Sequence, residues 1–263
     1  MKLNLSVLQP VKARAEDFVA ALRELKPDLI VVVAYGQILS QTILDLPRLG
    51  CLNVHTSLLP KYRGRVPVNW AVIRGETETG ATLHYMVEKP DAGDIVAQQA
   101  VAIGPDDTAF DVFGKVTEAA AAVLDAALPA LLRGERIARP QNLSEGSYYG
   151  GRKPEDGRID WHKSAQEIHN LVRGVAPPYP GAFFDLGGHR VKILRTKRIT
   201  EKPMDIGSPG IIAPQGKLHA VCGDGRLLEL IDVEIAGERV DADRFYAFFG
   251  VQSLPQKIPF EAT

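Results

Sequence analysis

The run LIVVVAYG at residues 29–36 constrains the fold more than any other segment, because it is almost wholly apolar and dominated by β-branched Val and Ile. Such a run is the signature of a strand covered on both faces in a parallel sheet. Just upstream, Phe18, Val19, Leu22 and Leu25 recur at three- and four-residue spacing, on one face of a helix over residues 16–25 that Pro27 ends. A helix leading directly into a buried strand predicts αβ winding. Further strands are expected at residues 50–55 and 81–86 and in IVAQQAVAI, and an Ala-rich helix over residues 108–132 closes the first half as an open α/β sheet.

The second half changes character. SEGSYYGGRKPEDG is rich in Gly, Ser, Pro and charge without a helical or strand period, and reads as a linker. Ile168, Leu171, Val172 and Val175 mark a helix over residues 165–175, stopped by APPYPG. Gly187-Gly188 and Asp224-Gly225 each sit between two apolar runs, a hairpin signal. Short antiparallel strands closing into a small barrel are expected. A length of 263 residues suits two such domains, placed at residues 1–152 and 155–263.

Composition removes several function classes. Hydrophobic residues at 45% and charged residues at 24% support a large core. With 31 Lys plus Arg against 32 Asp plus Glu, the formal charge of −1 gives no global attraction to nucleic acid or anionic lipid. Cys51 and Cys222 are the two cysteines, too few for a disulfide framework or a structural zinc site, and no run of eighteen apolar residues exists to span a membrane. The start MKLNLSVLQPVKARAEDF lacks the apolar core of a signal peptide, so a cytoplasmic protein without membrane insertion is expected. GxGxxG and GxxxxGK[ST] are absent, which leaves dehydrogenase and P-loop readings without support.

The chemistry concentrates in CLNVHTSLLPKYRGRVPVNW. Asn53 and His55 alternate with Leu52 and Val54 and share one face at the end of a buried strand. Ligands of open α/β sheets collect at the carboxyl ends of strands, and SLLPKYRGR forms a loop over that end. An Asn-x-His pair alone reads more readily as a structural pair satisfying backbone groups than as a site. Asp91, 36 positions after His55, begins a turn ahead of the strand IVAQQAVAI. His84 in mid-strand and His169 on the second-domain helix read as packed or solvent-facing, Cys51 as a small buried residue, and HRVKILRTKR as a solvated strand face. A Cys51/His55 nucleophilic pair is a distant competitor.

Together DLPRLGCLNVHTSLLPKYRG, GETETGATLHYM, DAGDIVAQ, GRIDWHKSA and PPYPGAF cover nearly the whole chain. In that order they resemble the 10-formyltetrahydrofolate-dependent formyltransferases. The resemblance implies an α/β fold class: an open, mostly parallel Rossmann-like sheet followed by a small OB-like β-barrel domain. It implies Asn53, His55 and Asp91 as the catalytic trio, with Ser57, Tyr62, Arg63, Gly64 and Arg65 on the loop binding substrate. The cosubstrate would be 10-formyltetrahydrofolate, with no metal. An acceptor amine would attack the formyl carbon, Asn53 and a protonated His55 would donate to the developing oxyanion, and Asp91 would keep His55 charged or accept the amine proton.

Two acceptor classes stay open. KYRGRVPVNW, MVEKPDAGDIVAQ, YYGGRKPEDGRIDWHKSA and HNLVRGVAPPYPGAF are similar to the branch acting on nucleotide-linked amino sugars such as UDP-4-amino-4-deoxy-L-arabinose in lipid A modification. Arg65 would set that specificity. VVVAYGQIL and DLPRLGCLNVH read more like the methionyl-tRNA branch. Residues 155–263 hold fourteen Lys plus Arg and fifteen Asp plus Glu, whereas a tRNA-binding domain should be basic. Relatives begin with strand and helix units ahead of the equivalent of SVLQPVKARAEDF, so an amino-terminally incomplete sheet with an apolar edge prone to self-association is expected. A non-catalytic binding module on such a scaffold is the remaining alternative.

Overall fold

The computed structural model describes residues 5–199, 208–250 and 257–260. Residues 1–4, on which part of the amino-terminal reading rests, lie outside them. The chain forms two compact units that interleave in sequence: one holds Met1–Gly64, Gly80–Val101 and Val116–Tyr149, the other Arg65–Thr79, Ala102–Lys115 and Gly150–Thr263.

The expected helix forms as α1 (Glu16–Leu25), ended by Lys26 in the left-handed region. It leads into β1 (Ile30–Val33), and α2 (Gln41–Leu44) precedes β2 (Cys51–His55). Next come β3 (Arg63–Gly64), α3 (Pro67–Ile73), β4 (Glu78–Tyr85), β5 (Ile95–Ala102), α4 (Ala109–Leu132) and β6 (Tyr148–Tyr149).

The first sheet has the order β1-β2-β4-β5, with β1 parallel to β2 and β2 antiparallel to β4. Period-two alternation sorts β2 between its faces: Leu52 and Val54 pack with Leu83, Tyr85 and Val96 against Val123, Ala127 and Leu131 of α4. Asn53 and His55 therefore take the other face. β1 departs from the double burial expected of it, because it is the outermost strand of this sheet: Val31 packs on the core while Val33 is 57% exposed.

In the second unit α5 (Ala165–Val175) starts at a capping box in which Ser164 and Glu167 exchange bonds. The strands are β7 (Ala182–Leu186), β8 (His189–Arg198), β9 (Gly210–Ile212), β10 (His219–Val221), β11 (Leu227–Ile235), β12 (Glu238–Arg239) and, after α6 (Ala242–Phe248), β13 (Ile258–Pro259). They form one curled antiparallel sheet, β13-β9-β10-β11-β8-β7, with β12 paired to β11. Gly187 and Gly188, both at positive φ, make the tight turn of the β7–β8 hairpin. Trp161 stacks on Phe260 at 4.2 Å between ring centroids, at one side of this core.

Candidate active site

Strand register assembles the first three groups. On β2, Asn53 pairs with His84 of β4, and His55 pairs with Thr82, so all four side chains stand on the face turned away from α4. Their bonding follows from the donors available. His84 Nδ1 lies 2.8 Å from the Tyr85 carbonyl, which can only accept, so the proton sits on Nδ1. Nε2 is then free to accept from the Asn53 amide at 3.2 Å. Burial pushes the His84 pKa down, against the opposing pull of the Tyr85 carbonyl and Asp91, with His55 adding to the depression. A neutral His84 thus orients the Asn53 amide, whose second N–H has no partner among the described residues.

His55 is anchored by the loop that follows β2. Its Nε2 donates to the Tyr62 carbonyl at 2.8 Å, and its Nδ1 edge faces Asp91 Oδ1 at 3.6 Å. The same carboxylate oxygen stands 3.7 Å from His84 Nε2. Asp91 Oδ2 accepts from the Gly64 backbone N–H at 2.8 Å. Asp91 therefore sits between two imidazoles with its carboxylate fixed from the opposite side. Its φ of +55° lies in the left-handed region, which Asp tolerates better than most residues.

The loop is rigidly tied. The Ser57 hydroxyl, fully buried, donates to the Lys61 carbonyl at 2.7 Å, so its place is inside the loop. Thr82 Oγ1 donates to the Ser57 carbonyl and accepts from Leu59 N–H and from Gln98. Tyr62, at φ +57°, stacks its ring on Tyr149 at 5.3 Å, and its N–H is held by Ser147. Arg63 is buried; its Nη2 reaches the Leu143 carbonyl at 3.4 Å, and its Nε has no partner among the described residues. Gly64, on β3, pairs with Tyr149 of β6, so close that a Cβ would stand 2.2 Å from the Tyr149 carbonyl oxygen. Arg65 is exposed and belongs to the second unit.

Asn53, His55, Asp91 and Gly64 are thus brought together, while Ser57, Tyr62 and Arg63 are engaged in holding the loop. His84 is packed, as its strand position implied, and it also faces Asp91. Its signal was the polar alternation of Thr82 and His84 with Leu83 and Tyr85, the same period that marked Asn53 and His55. Cys51 shares their parity, but its thiol is buried against the Ile43 and Leu44 carbonyls. Burial, with Asp45 nearby, pushes it up to about 11, so it is no primed nucleophile. Among the described residues no group of three or more His, Cys, Asp or Glu stands where it could hold a metal ion, and no helix is long and apolar enough to cross a membrane.

The sequence matches the formyl transferase family over residues 2–128 and the formyl transferase C-terminal domain over residues 152–249. The chain belongs to the formyltransferase family. Similar solved structures include a HypX variant from Aquifex aeolicus, 23% identical with a TM-score of 0.67, covering 97% of this chain and 44% of that one. The N-formyltransferase from Helicobacter canadensis, solved with folinic acid and dTDP-3-aminofucose, is 23% identical with a TM-score of 0.56 and coverages of 68% and 65%. A 4-N formyltransferase from Francisella tularensis is 27% identical, with a TM-score of 0.56 and coverages of 62% and 68%. This formyltransferase chain spans less than half the length of the HypX protein it matches.

Proposed function

We propose that the protein transfers a formyl group from 10-formyltetrahydrofolate to the amine of a nucleotide-linked amino sugar, of the UDP-4-amino-4-deoxy-L-arabinose type. The observation that carries this reading is the convergence of Asn53, His55 and Asp91 on one face of the β2–β4 pair, with His84 fixing the Asn53 amide. Family membership supplies the chemistry, and the Helicobacter structure, solved with dTDP-3-aminofucose, supports an amino-sugar acceptor. The catalytic domain is taken as residues 1–152 and the second domain as residues 155–263.

In this mechanism the acceptor nitrogen attacks the formyl carbon, and the carbonyl oxygen becomes an oxyanion. The unspent N–H of Asn53 donates to that oxygen, a type of contact whose loss costs about 10²–10³ in rate. His55 spends its Nε2–H on Tyr62, so donation to the oxyanion requires that bond to be exchanged when substrate arrives. Asp91 accepts the amine proton directly or through water. Return of that proton to the leaving folate nitrogen accompanies breakdown of the tetrahedral intermediate, which releases tetrahydrofolate and the formamide. Arg65, whose planar guanidinium suits a phosphate or carboxylate, is assigned to acceptor recognition.

The test is a transfer assay with a UDP-linked amino sugar and methionyl-tRNA in parallel. The amino sugar should be used far better, with little salt dependence, and His55→Ala and Asp91→Asn should each lose at least about 10²-fold in kcat while staying folded. Tight, salt-sensitive tRNA binding with formylation of methionyl-tRNA would transfer the assignment to that acceptor. Folate binding without transfer to any amine would leave a binding module.

A further inference from the structure

Asp91 is held from two sides, and only one of them belongs to the YRG loop. The other is Gln141, fifty residues further along the chain, whose Nε2 donates to the Asp91 carbonyl at 3.1 Å and to the Gly93 carbonyl at 2.6 Å. The chain at residue 141 is itself fixed nearby: Arg139 and Ile95 exchange both backbone bonds at 2.8 Å, at the start of β5. Arg139 also donates to Gln98, which ties Leu59 and Thr82. One side-chain amide therefore spans both carbonyls of the Asp91–Gly93 turn from a rigid base.

The turn needs such a brace. Asp91 sits at φ +55°, a conformation that Asp tolerates better than most residues but still holds at a cost unless surrounding contacts fix it. Gly93 is pressed against the Tyr85 carbonyl, where a Cβ would stand at 1.9 Å. Release of the two carbonyls lets Asp91 relax toward negative φ, and the carboxylate then swings from its place between His55 and His84.

We propose that Gln141 is a positioning residue for the transfer reaction, acting through the backbone of the Asp91 turn to hold the carboxylate between the two imidazoles. The proposal rests on the formyl-transfer reading of the site. A glutamine is suited to the task because its NH₂ carries two donors, one for each carbonyl, whereas Glu of the same shape offers none when ionised and Met none at all.

Gln141→Met and Gln141→Glu are the test variants. Each should lose about 10²-fold in kcat, the scale of a small misplacement of a reacting group, with KM for the amino sugar within a factor of about three. Combined with Asp91→Asn, Gln141→Met should cost almost nothing more, since its effect passes through that carboxylate. Retention of over a third of parental kcat, or a full additional loss in the Asp91→Asn background, overturns the proposal. So does failure of both single variants to fold, because the role is then structural. If the parent chain transfers no formyl group, the functional reading fails separately. The position of Asp91 is then read from the His84 ring resonances against pH, which lie in the field of Asp91, His55 and the Tyr85 carbonyl. A shifted titration in Gln141→Met sustains the proposal, and titrations identical to the parent's overturn it.

Discussion

A neutral imidazole at position 84 gives the site an acid limit. Its folded-state pKa is depressed, chiefly by burial, so the unfolded chain binds that proton more readily. The stability that follows is present above the ordinary imidazole value of about 6.5 and is lost as pH falls from there through the folded-state value. Protonation also turns Nε2 into a donor facing the donor N–H of Asn53, which breaks the contact that aims the amide. Thermal melts and kcat should therefore both decline as pH falls below about 6.5. His84→Gln, whose side-chain oxygen can still accept from Asn53, should flatten that decline; an unchanged pH slope in the variant would refute the role. Cys51 supplies a second residue-scale test. With its thiol pushed up to about 11, it should resist alkylation at neutral pH in the native protein, and Cys51→Ala should keep most of the transfer activity. Loss of transfer in Cys51→Ala without loss of fold would revive the thiol as a participant.

Among elements, the short pairing of β3 with β6 has the largest influence for its size. Through it Gly64 presents its N–H to Asp91, and no side chain fits there: φ is +98° and the Tyr149 carbonyl blocks a Cβ. Gly64→Ala should lower stability by about 1–3 kcal/mol through strain at a special backbone position and reduce kcat by about 10²-fold, read by denaturant melts and steady-state kinetics. Gly114→Ala in α4 is the counterpart: nothing lies within 4 Å of the added Cβ, so it should stabilise by about 0.4–1 kcal/mol. The contrast marks what a sequence discloses. Helices such as α1 and α5 were legible because their apolar spacing repeats over several turns and their ends carry Pro27 or the APPYPG stop. The β2 site face was legible because two polar residues broke a buried strand at period two. β3 and β6 are two-residue segments with no room for a period, so SYYGG read as linker. Gln141 was not legible at all, because its partners are backbone carbonyls fifty residues away, which no local pattern encodes.

For the molecule as a whole, the open question in solution is the outer edge of β1. This strand is the end of its sheet and carries Val33, 57% exposed, with Ile38 close by in the chain at 81%. Unpaired strand groups beside apolar side chains recruit further strands, and natural edges usually carry charge to prevent this. IVVV carries none, and a formal charge of −1 over 263 residues provides little repulsion between copies. The 263-residue chain should therefore associate with itself in a concentration-dependent way, and added salt should not weaken the association, since it is apolar and backbone-mediated rather than ionic. Sedimentation velocity over a range of concentrations reads this directly. Val33→Lys with Ile38→Lys should shift the chain toward monomer while leaving transfer kinetics unchanged, because neither residue lies on the Asn53–His55 face of β2. A parent chain that sediments as a monomer at every concentration would show that the β1 edge does not recruit copies, and the exposed Val33 would then be an ordinary surface residue.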